Sequence, residues 1–192
     1  AGKVEYEDSR GHMPAFESPL DEQVSLTPTD AGIGAYKGLL DQYFKIRASR
    51  TANYPSDRLA FDIMALVNGY YRDNLSSKME VSDKVFANER DYRAEDFVYY
   101  LANAKTACGT VGEATVALMR GAGFKARLLR FSRGWKPVTA NHIFPEFYSD
   151  EQQRWVMLDP MINASPSDRN GGLSGMEMMA SPTARSEMNR IW

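Results

Sequence analysis

Apolar residues recur every three or four positions through the first half of the chain, which is the spacing of helices that bury one side. The recurrence predicts a first helix over about 31–48, capped by Thr29-Asp30, and a third over about 94–103. Between them, Pro55-Ser56-Asp57 opens a second helix whose apolar positions run from Leu59 to Tyr70. The first hundred residues therefore supply several helices that can pack around one core.

The pattern changes near Cys108. A further helix is predicted over 109–123. Three shorter stretches then have the composition of strands, namely 125–131, 141–148 and 154–158. The last two are separated only by a polar turn over 149–152. Helices followed by a meander of neighbouring strands indicate an α+β fold rather than a doubly wound α/β fold.

Both ends of the chain lack this periodicity. Residues 1–30 are polar and rich in turn-forming residues, which is typical of an arm or a loop-like extension. From Ala164 onward Gly, Ser, Pro and Met dominate, so the chain is predicted to leave the compact core there. We therefore expect an arm over 1–30, a core domain over 31–163 and a C-terminal extension over 164–192. The arm and the Met-rich extension are the candidate contact surfaces for a protein partner.

The composition is that of a globular protein without a strong charge bias. Of the 192 residues, 43% are apolar and 25% are charged, and a chain of this length can bury a core without disulfides or metals. The net charge is −2 and the Lys and Arg residues form no stripe, so nothing indicates binding to nucleic acid or to an anionic membrane surface. Every apolar run is far shorter than a bilayer span, so no membrane span is expected.

One cysteine, Cys108, and two histidines, His12 and His142, limit the chemistry that the side chains can supply. A single cysteine cannot form an intrachain disulfide, which agrees with a reducing compartment but does not establish one. Zinc sites of the usual kinds need more Cys and His ligands, so no metal is expected. His12 lies in Gly11-His12-Met13, which resembles a cloning scar, and it receives no functional weight. Because numbering begins at Ala1, a leader could precede the chain, and both a cytoplasmic and an exported protein stay open.

Cys108 directly precedes the predicted helix over 109–123, where a thiol can become reactive. The thiolate is the nucleophilic form of cysteine, and the unpaired N–H groups and positive dipole end of a helix start favour it. Most free cysteines are instead small buried hydrophobic residues, and Cys108 taken alone fits that description better.

A partner for the thiol is predicted on the strands. If 149–152 forms the turn, residues whose numbers add up to 301 face each other across the hairpin, and His142 and Asp159 are such a pair. The carboxylate could then accept a hydrogen bond from one ring nitrogen and leave the other for the thiol. Singly, His142 fits a polar strand residue and Asp159-Pro160 fits the start of a turn. Together with Cys108, they supply nucleophile, base and orienting group in the order that a helix-then-sheet scaffold needs.

These three residues belong to a longer spaced pattern. It is completed by Arg120, Gly123, Ala126, Arg127, Glu146, Trp155 and Pro160. With the helical stretch 97–101, the pattern resembles the core of the transglutaminase-like superfamily, a relative of the papain fold, over roughly 94–160. Phe144 stands where the family often has Trp, and Ala107 stands where it usually has Gly. Both departures are tolerable.

The resemblance implies a cysteine-dependent enzyme that transfers an acyl group. Cys108 would attack an amide or peptide carbonyl to form a thioester, His142 would act as base and then as acid, and Asp159 would orient it. Water as acceptor gives a peptidase or amidase, an amine gives a transglutaminase, and the family also allows peptide N-glycanase activity. We expect hydrolysis of a peptide, protein or amide substrate without a metal or organic cofactor, because the sequence shows no amine site that excludes water.

Asn103 is the candidate for a side chain that helps to bind the oxyanion, since the family often draws one donor from upstream of the cysteine. The other donor would be the backbone N–H of Cys108. The alternative for Asn103 is a helix C-terminal residue in a left-handed turn. The N-terminal helices and the loop 132–140 around Trp135 are expected to form the walls of the substrate groove.

A non-catalytic module is the alternative function. The family that the chain resembles includes members that keep the fold for binding or assembly, and a fold does not dictate a function. The intact set of Cys, His and Asp favours an enzyme, because loss of activity usually leaves a broken triad. The arm and the Met-rich extension still leave room for a structural or interaction role.

Overall fold

The structure, a computed structural model, describes residues 3–7, 30–49, 56–72, 94–103, 106–132 and 142–181, and for 3–7 it describes the backbone alone. Its helices are α1 (Asp30–Ala48), α2 (Ser56–Arg72), α3 (Ala94–Asn103), α4 (Cys108–Gly121) and α5 (Gly175–Ala180). Its strands are β1 (Lys3–Glu7), β2 (Ala126–Ser132), β3 (His142–Ser149), β4 (Arg154–Met157), β5 (Ser167–Asp168) and β6 (Gly171–Gly172). The expected groove loop around Trp135 lies outside the described residues.

Helices α1 to α4 surround one apolar core, and the sequence predicted all four to within a few residues. In α2 the residues Leu59, Ile63 and Val67 recur every four positions and are completely buried. Helix α4 is buried on almost every side and lies at the centre, where it packs against α2, α3, β2 and β3. Among the described helices, none combines the length and the apolar character needed to cross a membrane.

Strands β1 to β4 form an antiparallel sheet in that order, and α4 packs on one of its faces. Successive side chains of β3 point to opposite faces of the sheet, as in any β-strand. Ile143 and Phe147 pack with the helical core, whereas Phe144 belongs to a smaller cluster on the outer face. Helices packed on an antiparallel sheet confirm the predicted α+β fold class.

Strand β1 comes from the stretch 1–30, which we expected to be an arm or a loop-like extension. Lys3 pairs with Ser132 and Glu7 with Leu128, so that residues 3–7 form an edge of the four-stranded sheet. The alternation of apolar and polar residues over 3–7 is compatible with a strand, but a run of five is short beside the polar, proline-rich residues that follow. Residues 8–29 lie outside the described residues.

The β3–β4 hairpin corrects the predicted register. Ser149 pairs with Arg154 and Glu146 with Met157, so facing residues add up to 303 rather than 301. Ser149 therefore belongs to the strand, and the loop comprises residues 150–153 instead of 149–152. The hydroxyl of Ser149 accepts a hydrogen bond from the Gln152 N–H at 2.9 Å, and Gln153 adopts a left-handed conformation with φ of 53°. A side chain that holds the turn and a residue with positive φ were not evident from the composition of the loop.

The prediction that the chain leaves the core at Ala164 is wrong for the part that the structure describes. Residues 164–181 return along the outer face of the sheet, where Met178 is completely buried against Leu129, Phe144 and Met157. A Cβ atom at position 175 would lie 1.9 Å from Cδ2 of Leu129, so a glycine lets α5 start this close to the sheet. Residues 182–192 lie outside the described residues, and the domain boundaries at 31–163 stay a prediction.

Candidate active site

Cys108 is the first residue of α4, and the approach of this helix to the sheet brings it close to β3. Gly109 and Gly112 face the strands, where a Cβ atom at position 112 would lie 2.9 Å from Cδ2 of Leu128 and one at 109 would lie 3.7 Å from Cδ1 of Ile143. The residue before the helix, Ala107, is extended and makes no side-chain cap. No side chain at the cap position therefore accepts a hydrogen bond from the first-turn N–H groups of α4. These groups point toward the N-terminal end of the helix, which is where Cys108 lies.

His142 is the first residue of β3 and lies beside the carboxylate of Asp159. Its Nε2 atom is 3.7 Å from Oδ2 of Asp159, which is ion-pair contact rather than a short hydrogen bond. The ring of Phe144 meets the imidazole edge-on, with centroids 4.2 Å apart. The residue that replaces the family's more common Trp thus packs against the histidine and limits its rotation.

Asp159 follows β4 and is held by a tight loop. Its backbone N–H donates to the carbonyl of Ala164 at 2.7 Å, and its own carbonyl accepts from the Ala164 N–H at 3.1 Å. The Oδ1 atom accepts a hydrogen bond from the Met161 N–H at 3.1 Å. One carboxylate oxygen is therefore engaged inside the loop, and the other is directed at His142.

The thiol of Cys108 has competing influences on its pKa. Partial burial raises the pKa, because it disfavours the charged thiolate. Hydrogen bonds from the His142 ring and from the backbone N–H groups of Ile143 and Gly109 act in the opposite direction, as does the charge of His142. The favourable contacts prevail, and the pKa of Cys108 lies below the ordinary value for a thiol.

The imidazole of His142 shifts in the complementary direction. Burial lowers its pKa, but contacts with Asp159 and with Cys108 outweigh that and raise the pKa from 6.5 to about 9. Two acidic groups in contact with one ring favour its protonated form. The two shifts are complementary, because the contact between the thiol and the imidazole favours the thiolate of Cys108 together with the imidazolium of His142.

Asn103 does not offer a free donor to this site. It is the last residue of α3, and its side-chain amide donates to the carbonyl oxygens of Gly32 at 2.9 Å and Tyr99 at 3.0 Å. These two bonds use both amide hydrogens, so none is left for an oxyanion in this conformation. The left-handed alternative is also wrong, because among the described non-glycine residues only Gln153 and Asn163 have positive φ.

Glu146, a residue of the spaced family pattern, holds the start of α5 to the sheet. Its side chain is completely buried, and its Oε2 atom lies 2.8 Å from Nε of Arg127, whose guanidinium also stacks on Trp155. The Oε1 atom accepts the N–H of Gly175 at 2.6 Å. Three residues of the spaced family pattern are thus joined in one cluster that anchors the start of α5.

Asn68 is a residue near the site that the sequence pattern did not predict. It lies on α2 beside Val67, and its amide donates to the carbonyl oxygens of Pro160 and Met161, directly after Asp159. An asparagine next to an apolar stripe looks like an ordinary polar position, so only the tertiary contact distinguishes it. Within the described ranges, no three His, Cys, Asp or Glu side chains are grouped so as to hold a metal ion.

Comparison with known families agrees with the resemblance. The family model of the transglutaminase-like superfamily matches residues 47–160, which is more than half of the chain. The matched range includes Cys108, His142 and Asp159. Comparisons with curated proteins and with solved structures gave no significant match.

Proposed function

The chain belongs to the transglutaminase-like superfamily, whose members are generally cysteine-based enzymes, and from this premise we propose that it is an acyl-transfer enzyme acting on amide or peptide bonds. In this proposal Cys108 is the nucleophile, His142 the general base and acid, and Asp159 the group that orients and charges the histidine. One observation carries the proposal. The thiol contacts the imidazole and the imidazole contacts the carboxylate, so the three groups lie in the order that the chemistry needs.

The first half of the reaction forms a thioester. The Cys108 thiolate attacks the carbonyl carbon, and the C=O electron pair moves to the oxygen to give a tetrahedral oxyanion. His142, protonated at neutral pH because its pKa is about 9, donates its proton to the leaving nitrogen as the C–N bond breaks. An amine leaves, and the acyl group stays on the sulfur.

The second half returns the enzyme to its starting state. Neutral His142 takes a proton from the acceptor, which attacks the thioester carbonyl and forms a second tetrahedral oxyanion. The C–S bond then breaks, so the thiolate and the imidazolium of His142 are restored together. With water as acceptor the product is a carboxylic acid, and with a primary amine it is a new amide. We favour water, as expected from the sequence.

Oxyanion stabilisation comes in this proposal from the start of α4. The backbone N–H of Cys108 lies at the helix N-terminus, where peptide dipoles favour negative charge. Asn103 is not assigned this role, because its amide is committed to Gly32 and Tyr99.

An activated ester tests the proposal without knowledge of the natural substrate. Incubation with p-nitrophenyl acetate should release nitrophenolate in a burst and leave one acetyl group on Cys108, detected by intact mass, followed by slower turnover. Cys108→Ala should abolish both signals, and His142→Ala should remove most of the burst rate. Adding a primary amine distinguishes the acceptors, since an acetylated amine among the products would indicate transfer rather than hydrolysis. Acetylation no faster than that of a free thiol, with no turnover, would support the non-catalytic module instead.

A further inference from the structure

We propose that Asn68 is a positioning residue for the Asp159 carboxylate, acting through the peptide unit that joins Pro160 to Met161. The inference rests on the proposed function, because Asp159 matters here as the partner of His142. Asn68 belongs to α2, in the helical layer, and reaches the loop that follows β4 across 92 positions of sequence.

The side chain of Asn68 has the contacts that such a role needs. It is 9% exposed, and its Nδ2 atom lies 2.8 Å from the carbonyl oxygen of Pro160 and 3.1 Å from that of Met161. Both amide hydrogens are directed at two successive carbonyls of one loop. A buried amide that makes these bonds fixes the direction of both carbonyl groups.

The geometry of the peptide bond transmits this constraint to the carboxylate. The carbonyl of Pro160 and the N–H of Met161 belong to one planar peptide unit, and in a trans unit they point in opposite directions. Asn68 holds the carbonyl side, and the N–H side donates to Oδ1 of Asp159 at 3.1 Å. Rotation of this unit would break both bonds together.

The hydrogen bond to Oδ1 also fixes the direction of the second carboxylate oxygen of Asp159. With Oδ1 held by Met161, Oδ2 faces Nε2 of His142 at 3.7 Å. The contact is longer than a hydrogen bond, so its strength depends on how firmly the carboxylate is held. Asn68 therefore stabilises the charged state of His142 from the opposite side of the loop.

A matched control is available at the β3–β4 turn, where another side-chain amide bonds to α2. The amide of Gln152 also joins α2 to the hairpin, because it donates to Oδ2 of Asp57 and accepts from the Gly172 N–H. It lies at the turn, away from Asp159. Gln152→Leu also removes two side-chain hydrogen bonds, one to α2 and one to β6, without touching the loop that holds the carboxylate.

The test is the pKa of the His142 ring, read by NMR titration of the full chain. Only His12 and His142 contribute ring signals, and the His142→Ala variant identifies which is which. The titratable groups that face His142 are Cys108 from α4 and Asp159 from the loop after β4. Asn68→Leu, similar in size but without donors, should lower the pKa of His142 by about one unit, and Gln152→Leu should leave it in place.

Each outcome decides the question. A folded Asn68→Leu variant whose His142 titrates as in the wild type would overturn the inference and leave the proposed function standing. If the wild-type ring itself titrates near 6.5, the proposed ion pair fails and the inference fails with it. If the leucine variant does not fold, Asn68→Ser takes its place, because serine keeps one donor. A His142 pKa in Asn68→Ser that lies between the values in the wild type and in Asp159→Asn supports the role. An unchanged pKa in the serine variant contradicts it.

Discussion

The Nε2 atom of His142 lies 3.7 Å from Oδ2 of Asp159, although the two residues do not face each other in the β3–β4 ladder. The register continues beyond β4, since the Leu158 N–H donates to the carbonyl of Pro145. The next pair in this register would place Asp159 opposite Phe144, two residues from His142 and on the same face. The contact is therefore diagonal, and the long His142 ring and the loop after β4 together close the distance.

Removing the charge of Asp159 should lower the pKa of His142. Asp159→Asn keeps the size of the side chain but loses the negative charge that favours the imidazolium. We expect the pKa of His142 to fall from about 9, and the acylation rate at neutral pH to fall on the order of a hundredfold. Histidine NMR titration and burst kinetics with p-nitrophenyl acetate measure the two effects. A variant with wild-type values for both would show that the carboxylate does not act on the ring.

The proposed chemistry should depend on pH in a bell shape. The reactive form needs a thiolate and a protonated imidazole, so the rate should rise as pH passes the lowered pKa of Cys108. It should fall again as pH passes about 9, where His142 loses the proton that the leaving amine requires. The pH profile of kcat/KM with an amide substrate measures both limbs. A single rise at the ordinary thiol pKa would be inconsistent with the ion pair.

Loss of the Glu146 carboxylate should destabilise the protein substantially. Glu146→Ala leaves the partly exposed guanidinium of Arg127 and the buried N–H of Gly175 without their acceptor, and an unsatisfied buried donor alone costs about 1–3 kcal/mol. The free energy of unfolding from urea denaturation measures this cost.

The Arg154–Glu177 pair provides the comparison for Glu146. Its atoms are 2.6 Å apart, yet the Glu177 side chain is 46% exposed, so Arg154→Ala should cost less than about 1 kcal/mol. Equal losses in the two variants would contradict the assignment of Glu146 as the anchor of α5.

A methyl group at Gly112 should disturb the packing of α4 on the sheet. In Gly112→Ala the new Cβ would lie 2.9 Å from Cδ2 of Leu128, and overpacking of this kind costs about 1–3 kcal/mol. Gly34→Ala is the control, because nothing lies within 4 Å of its Cβ position and helix propensity alone should stabilise it by about 1 kcal/mol. Urea denaturation compares the two. If both variants were stabilised alike, the close approach of α4 would not constrain the fold.

The helices could be predicted from sequence because each has its own periodic pattern. The stripe of α2 and the apolar composition of α3 are local properties, and both helices lie where the pattern placed them. The pairing of residues 3–7 with β2 is not local, since it joins positions more than a hundred residues apart. Sequence composition over 1–30 carries no record of that partner, which is why the strand was missed.

The candidate site was only partly predictable for a similar reason. The predicted register was wrong, but it still placed His142 and Asp159 on the same face of the sheet. Facing residues add up to 303 instead of 301, so each partner moves by two residues, and a shift of two keeps a side chain on the same face. The contacts of Asn68 and Asn103 depend on loops and helices that meet only in the folded chain. The presence of an asparagine in the sequence does not indicate which carbonyl groups its side-chain amide will contact.

The central claim is that Cys108 is activated by His142, and a single cysteine makes it directly measurable. Iodoacetamide labelling of the native protein, followed by intact mass across pH, reports the ionisation of that one thiol. We expect a half-point below the ordinary thiol value in the wild type, and a slower reaction with a half-point near that value in His142→Ala. A wild-type half-point at the ordinary value, unchanged by His142→Ala, would contradict it.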